Sequence, residues 1–190
     1  MKVGLFFGSF NPIHVGHLII ANVMVETTDI DQTWFVVSPQ NPFKNQKSLL
    51  HEFDRLDMVN AAIFDNYNLK ATDVEFNMPK PSYTVDTLVY LKEKYPEHDF
   101  VLIIGGDNLK SFPKWKNHQK ILEDYGLYVY PRPGAEPSEL TKHENVCMVQ
   151  SPEMDISATF IRKCIKENRS IKYMVPDAVD EMIRAKKFYL

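Results

Sequence analysis

The sequence predicts an α/β fold: a doubly wound, mostly parallel sheet with helices on both faces. Three observations lead to it. Short apolar runs rich in β-branched and aromatic residues alternate with longer segments of helical period. The runs are bounded by Gly, Pro, Asn or Asp, as strands are. Strand–helix alternation of this kind closes into parallel pairs joined by right-handed crossovers, a Rossmann-like arrangement. In such a sheet, ligands settle beyond the carboxyl ends of the strands, where strand order reverses.

Element by element, strands are expected at Lys2–Phe7, Thr33–Ser38, Leu69–Val74, Phe100–Ile104 and Leu127–Tyr130, with Val146–Val149 as a sixth candidate. Helices are expected at 15–27, 51–64, 83–95, 114–123, 157–167 and 176–186. In the second, Phe53, Leu56, Val59 and Ile63 recur at three- and four-residue steps and make one apolar stripe. The last opens after Val175-Pro176, and proline suits a first helical turn. Pro131–Lys142, with three prolines and a glycine, reads as a surface loop. The expected organisation is a single domain over 1–190, with 151–190 forming a small helical C-terminal extension. A chain of 190 residues, 44% hydrophobic and 25% charged, can build one sizeable core without metals or disulfides.

Charge narrows the function classes. Lys and Arg number 22 against 25 Asp and Glu, a net charge of −3. That balance offers no field attractive to nucleic acid or to an anionic membrane, so any anion must be met by a local site. Cys147 and Cys164 stand alone, which suggests a reducing compartment. The apolar run Leu18–Val25 contains Asn22 and is far shorter than the ~20 residues of a membrane span. A cytoplasmic protein is expected.

The strongest chemical signal is Gly8-Ser9-Phe10-Asn11-Pro12-Ile13-His14-Val15-Gly16-His17, between the first strand and the first helix. A loop entering a helix N-terminus presents free backbone N–H groups and the positive end of the helix dipole, which together receive phosphate. Gly8 and Gly16 allow close approach to the backbone. His14 and His17, three apart, share a helix face, and imidazoles there can donate to phosphate oxygens. A capping pair or a zinc site are the plainer readings; zinc lacks a third ligand nearby in sequence. The second signal is Ile156-Ser157-Ala158-Thr159-Phe160-Ile161-Arg162. Ser157 can cap a helix whose stripe is Phe160, Ile161, Cys164 and Ile165, and Arg162 can lean back toward an anion at that cap. An ordinary capped helix with a solvated Arg162 is the alternative.

Together these two segments resemble the signature pair of the nucleotidylyltransferase superfamily, and within it the bacterial nicotinate-nucleotide adenylyltransferase family. The resemblance runs through Arg55-Leu56-Asp57-Met58, Pro81-Ser82-Tyr83-Thr84-Val85-Asp86-Thr87-Leu88, Gly105-Gly106-Asp107-Asn108-Leu109 with Trp115, and Arg132-Pro133-Gly134. Two positions depart from the superfamily pattern: Asn11 stands where Asp is frequent, and Ala158 where a second Ser is usual.

The resemblance implies transfer of the adenylyl group of ATP to nicotinate mononucleotide, giving deamido-NAD and pyrophosphate without a covalent enzyme intermediate. It implies that His14, His17, Lys44 and Arg162 are catalytic. Gly8, Ser9, Phe10, Gly16, Gly105, Asp107, Ser157, Thr159 and Arg162 would bind ATP. Lys44, Tyr83, Thr84, Trp115 and Arg132 would bind the mononucleotide, with Trp115 stacked on its ring. Asp107 also suits a helix N-cap, Ser82 suits another, and Trp115 suits a simple anchor for a short helix. Mg²⁺ is expected to arrive on ATP oxygens and water, since the sequence shows no carboxylate cage. A phosphopantetheine adenylyltransferase and a non-catalytic nucleotide-binding module remain the alternatives.

Overall fold

The computed structural model describes residues 1–39 and 48–190. Among them six strands, β1 (Lys2–Gly8), β2 (Gln32–Val37), β3 (Leu69–Thr72), β4 (Asp99–Gly105), β5 (Leu127–Tyr130) and β6 (Val146–Met148), form one sheet. Their order is β3-β2-β1-β4-β5-β6, and every neighbouring pair is parallel. The order reverses between β1 and β4, so the carboxyl ends of these strands, Gly8 and Gly105, border the crevice where parallel sheets hold ligands.

Among the described residues, seven α-helices cover the two faces: α1 (Val15–Thr27), α2 (Glu52–Ile63), α3 (Thr84–Lys94), α4 (Gly106–Leu109), α5 (His118–Asp124), α6 (Ala158–Lys166) and α7 (Asp177–Lys186). Strand side chains alternate between faces, which splits the core in two. Phe6, Phe35, Val37 and Ile103 pack with Ile20 and Met24 of α1, Met58 and Val59 of α2, Ile161 of α6 and Val179 of α7. Val3, Leu5, Trp34, Val36 and Leu102 pack with Leu88 and Leu91 of α3, Leu109 of α4 and Ile121 of α5. With both faces covered, the strands read as continuous apolar runs. The C-terminal helices share a core with α1 and α2.

Several boundaries differ from the sequence reading. β3 stops at Thr72, whose hydroxyl accepts the N–H of Val74 at 3.3 Å, and Val74–Asn77 turns into a 3-10 helix. The helix expected over 114–123 starts only at His118: Phe112–Lys114 is a separate 3-10 turn, and Asn117 adopts a left-handed φ of 51°. On α2 the buried face is Arg55, Met58, Val59 and Ile63. Phe53, two residues before Arg55, lies roughly 200° around the helix and is 55% exposed. On α6, Ile161 and Cys164 define the buried side, and Phe160, a step of roughly 100° away, is 51% exposed.

Candidate active site

β1 ends at Gly8, and the chain turns through Ser9–Pro12 into α1, with His14 as its extended N-cap (φ −146°) and His17 in the first turn. The two rings stack with centroids 3.6 Å apart and an interplanar angle of 21°. The His14 backbone N–H donates to Nδ1 of His17 at 3.3 Å, so a neutral His17 carries its proton on Nε2 and is a donor there. The His14 side chain is buried, and its Nδ1 has no hydrogen-bond partner among the described residues. Burial, seconded by the charge of Arg132, pulls its pKa down to about 4, which keeps the ring neutral at neutral pH.

From the far end of the chain, α6 brings its own N-terminus to the same crevice. Ser157 Oγ accepts the N–H of Phe160 at 3.2 Å, closing the cap. Arg162 leans back along the helix: Nη1 donates to the main-chain oxygen of Asn11 at 2.7 Å and Nη2 to Thr159 Oγ1 at 3.3 Å. A cavity of about 320 Å³ opens between the two helix starts, lined by Ser9, His14, His17, Ser157, Thr159 and Arg162. Residues 151 positions apart thus meet across one hydrogen bond.

Gly8, Phe10, Gly16 and Arg132 also line this cavity. Each glycine has a packing reason as well. A Cβ on Gly8 would stand 2.7 Å from the Phe10 ring, and one on Gly16 would stand 2.6 Å from Ile156. Phe10 sits at a left-handed φ of 44°, which turns its ring into the core against Phe6, Phe35 and His17. Arg132, grouped by resemblance with the mononucleotide contacts, lies close enough to His14 to depress its protonation. Its Nε is 3.8 Å from Asp107 Oδ1, which places Gly105 and Asp107 beside the cavity wall. The N-cap of α4 is Gly105, not Asp107.

Tyr83 and Trp115 lie apart from that cavity and near each other. Tyr83 is the N-cap of α3, a place expected for Ser82, and Thr84 is the first residue of that helix. Lys116 stands 4.5 Å over the Tyr83 ring and pairs with Asp86, which brings the Trp115–Lys116 turn against the start of α3. Trp115 is half-buried, its ring 5.5 Å from that of Phe112. Lys44 falls in 40–47, outside the described residues.

Three polar groups under the site make contacts that the sequence did not mark, although Asn11 and Arg55 stand in segments that carry the resemblance. Arg55 is completely buried and donates to four backbone carbonyls, those of Ser9, Ser38, Pro39 and Leu50. Asn11 Nδ2 donates to Ser48 O at 2.8 Å, a bond that an aspartate could not make. Glu75 is buried, takes a 2.7 Å hydrogen bond from the Thr87 hydroxyl and interacts with the hydroxyls of Ser38 and Ser82. Burial pushes its carboxyl above the usual range, against the pull of these three donors.

The depressed His14 pKa sets a pH dependence. The unfolded chain takes up a proton on this ring near 6.5, whereas the folded protein does so only near 4. In that window the unfolded state binds more protons, so the contribution is complete above 6.5 and is lost as pH falls through 4. At 1.36 kcal/mol per unit it amounts to about 3 kcal/mol. Urea midpoints measured across this range should drop accordingly, and His14→Gln should flatten the slope. An equal slope in the variant would mean that His14 is not the group responsible.

A parallel sheet whose switch point holds two helix N-termini, two imidazoles and two guanidiniums defines a protein that handles the phosphates of a nucleotide. Residues 5–164 match the model of the cytidylyltransferase-like family. The chain is 62% identical to a probable nicotinate-nucleotide adenylyltransferase of Cytophaga hutchinsonii, over 100% of this chain and 98% of that one. It is 51% identical to the protein of the same name from Flavobacterium johnsoniae, over 100% and 99% of the two chains. Among solved structures, Plasmodium falciparum nicotinic acid mononucleotide adenylyltransferase complexed with NaAD superposes with a TM-score of 0.83. That match covers 99% of this chain and 97% of the other at 21% identity, and so speaks for the fold. The chain belongs to the nicotinate-nucleotide adenylyltransferases of the cytidylyltransferase-like family. No helix among the described residues is long and apolar enough to cross a membrane, and no three His, Cys, Asp or Glu side chains among them are grouped as for a metal ion.

Proposed function

We propose that this protein joins the adenylyl group of ATP to nicotinate mononucleotide, forming deamido-NAD and releasing pyrophosphate. The relatives' names support this reading, as does the NaAD bound by the Plasmodium enzyme. One observation carries it. In a protein of net charge −3, the cavity at the switch point is lined by His14, His17, Arg132 and Arg162, and no Asp or Glu is among its described lining residues.

Both reactants are anions, so bringing them together and neutralising charge is the main catalytic problem. The mononucleotide 5′-phosphate oxygen attacks the α-phosphorus in line. The bond from that phosphorus to the β-phosphate bridging oxygen breaks, and pyrophosphate leaves; no side chain becomes covalently attached. His17 Nε2–H and the N-terminus of α1 stabilise the phosphoryl oxygens. Ser157, Thr159 and Arg162 hold the departing pyrophosphate, and bound phosphate draws His14 back toward its protonated form. Ser9 and the Gly8 backbone complete the cradle with Phe10 and Gly16, and Lys44 bridges the two anions. Gly105 and Asp107 receive the adenosine ribose. Tyr83, Thr84 and Trp115 receive the nicotinate, where the N–H groups opening α3 favour a carboxylate over an amide. Mg²⁺ would be carried mainly by the nucleotide's phosphate oxygens and water and would supply charge neutralisation there. The protein acts as a single domain in the cytoplasm.

The test is pyrophosphate release from ATP and Mg²⁺ with each acceptor. Nicotinate mononucleotide should support turnover, phosphopantetheine should not, and a chelator should stop the reaction. Turnover with phosphopantetheine alone, or with neither acceptor, would overturn the assignment.

A further inference from the structure

Tyr189, next to last in the chain, is a core residue with a polar tip. Its side chain is buried, although its backbone adopts a left-handed φ of 67°, as does that of Lys187 two residues earlier (φ 54°). Two such non-glycine residues in one short tail mark a conformation held by its surroundings. The holding contact is specific: Tyr189 O–H donates to Asn11 Oδ1 at 2.9 Å, across 178 residues of sequence. Burial keeps the phenol protonated well above its usual range, despite the neighbouring charges of Arg162 and Arg55, so it stays a donor.

The other bonds of Asn11 show what is being held. Oδ1 also accepts the Leu50 N–H at 3.3 Å, and Nδ2 donates to Ser48 O at 2.8 Å. The Asn11 main-chain oxygen accepts from Arg162 Nη1 at 2.7 Å. Asn11 therefore sits at a junction: its side chain is fixed by the C-terminus and by residues 48–50, and its backbone aims the guanidinium of α6. Two residues further on the chain reaches Ile13 and then His14, the N-cap of α1.

We propose that Tyr189 is a positioning residue of the active site, acting through Asn11 to set Arg162 and the phosphate-binding turn for the triphosphate. Tyr189 does not line the cavity, so it acts at one remove. The inference rests on the adenylyltransfer reading. Two readouts separate them: turnover with nicotinate mononucleotide tests that reading, whereas affinity for inorganic tripolyphosphate tests the positioning and needs no acceptor.

Tyr189→Phe removes one oxygen and keeps the ring. Tripolyphosphate affinity is expected to weaken about fivefold or more, with kcat/KM for ATP falling in parallel and KM for nicotinate mononucleotide staying within about twofold. In a double-mutant cycle, Arg162→Lys should absorb most of the effect, because both changes act on one hydrogen-bonded chain. A role in packing alone would lower the melting temperature and leave these constants and their additivity intact. Unchanged tripolyphosphate affinity, additivity with Arg162→Lys, or failure of Tyr189→Phe to fold would each overturn the proposal.

Discussion

Replacing His17 with alanine is expected to lower kcat by about three orders of magnitude while leaving the protein folded. The ring is a donor by construction: the His14 N–H occupies Nδ1 at 3.3 Å, so the proton of the neutral form lies on Nε2. It stands in the first turn of α1, where backbone N–H groups and the helix dipole already favour negative charge. A donor in that position gains most when charge moves onto the phosphoryl oxygens, so its loss should appear in kcat more than in ATP binding. A thousandfold loss is about 4 kcal/mol, within the range measured for removing one preorganised donor from a transition-state oxygen. The structural cost is smaller. The bond to His14 is long, and besides its stack on the His14 ring the imidazole packs edge-on against Phe6 and Phe10, at centroid distances of 6.0 and 5.1 Å. A kcat within tenfold of the parent, with folding confirmed by its thermal transition, would remove His17 from the chemistry.

His14 acts differently because its environment is different. The two imidazoles lie 3.6 Å apart, but His14 is the buried one, and Arg132 adds to the pressure against its charging. Two stacked rings beside two guanidiniums are stable while the rings stay neutral. On the proposed reading, the phosphates of a bound nucleotide would bring the compensation and couple binding to proton uptake at His14. That would let a protein of slight net negative charge hold a polyanion through one local arrangement.

How much of this was legible in the sequence depends on whether the physics is local. The strands were readable because a sheet covered on both faces makes apolar runs, and the β1–α1 turn because a helix start has its own residue signature. The meeting of Arg162 with the histidines followed from combining two phosphate-type helix starts in one chain. What failed was rotational phase. Phe53 and Phe160 fit an apolar stripe by spacing, but the partner helix face decides which side is buried, and in α2 that side includes an arginine. Nothing in the spacing of 114–123 signals that Asn117 turns left-handed and delays α5. The contacts of Arg55, Asn11 and Glu75 were out of reach for another reason: their partners are backbone carbonyls and hydroxyls on distant loops, which composition does not mark.

Arg55→Ala should be among the most destabilising single changes in this protein, at about 3–5 kcal/mol. The guanidinium spans three loops: Nε donates to Leu50 O at 2.9 Å, Nη1 to Ser9 O at 2.6 Å and Ser38 O at 2.8 Å, and Nη2 to Pro39 O at 3.1 Å. No carboxylate accepts from it among the described residues, and burial pulls its pKa down without discharging it. Removal therefore has two opposing effects. The desolvation of a buried cation is relieved, whereas four carbonyls lose their donor, at about 1–3 kcal/mol for each that stays dry. Alanine also leaves a void where a full arginine was packed, and voids add to the cost. The carbonyls outnumber the charge, so the balance is expected to fall on the destabilising side. Lysine offers three donors without the planar fork, so Arg55→Lys should recover only part of the loss. Because one of the four acceptors belongs to Ser9, which lines the cavity, the surviving folded fraction should also bind tripolyphosphate more weakly. Urea unfolding near neutral pH decides: a midpoint shift worth less than about 1 kcal/mol would mean that water replaces the guanidinium freely and that these loops hold their shape without it.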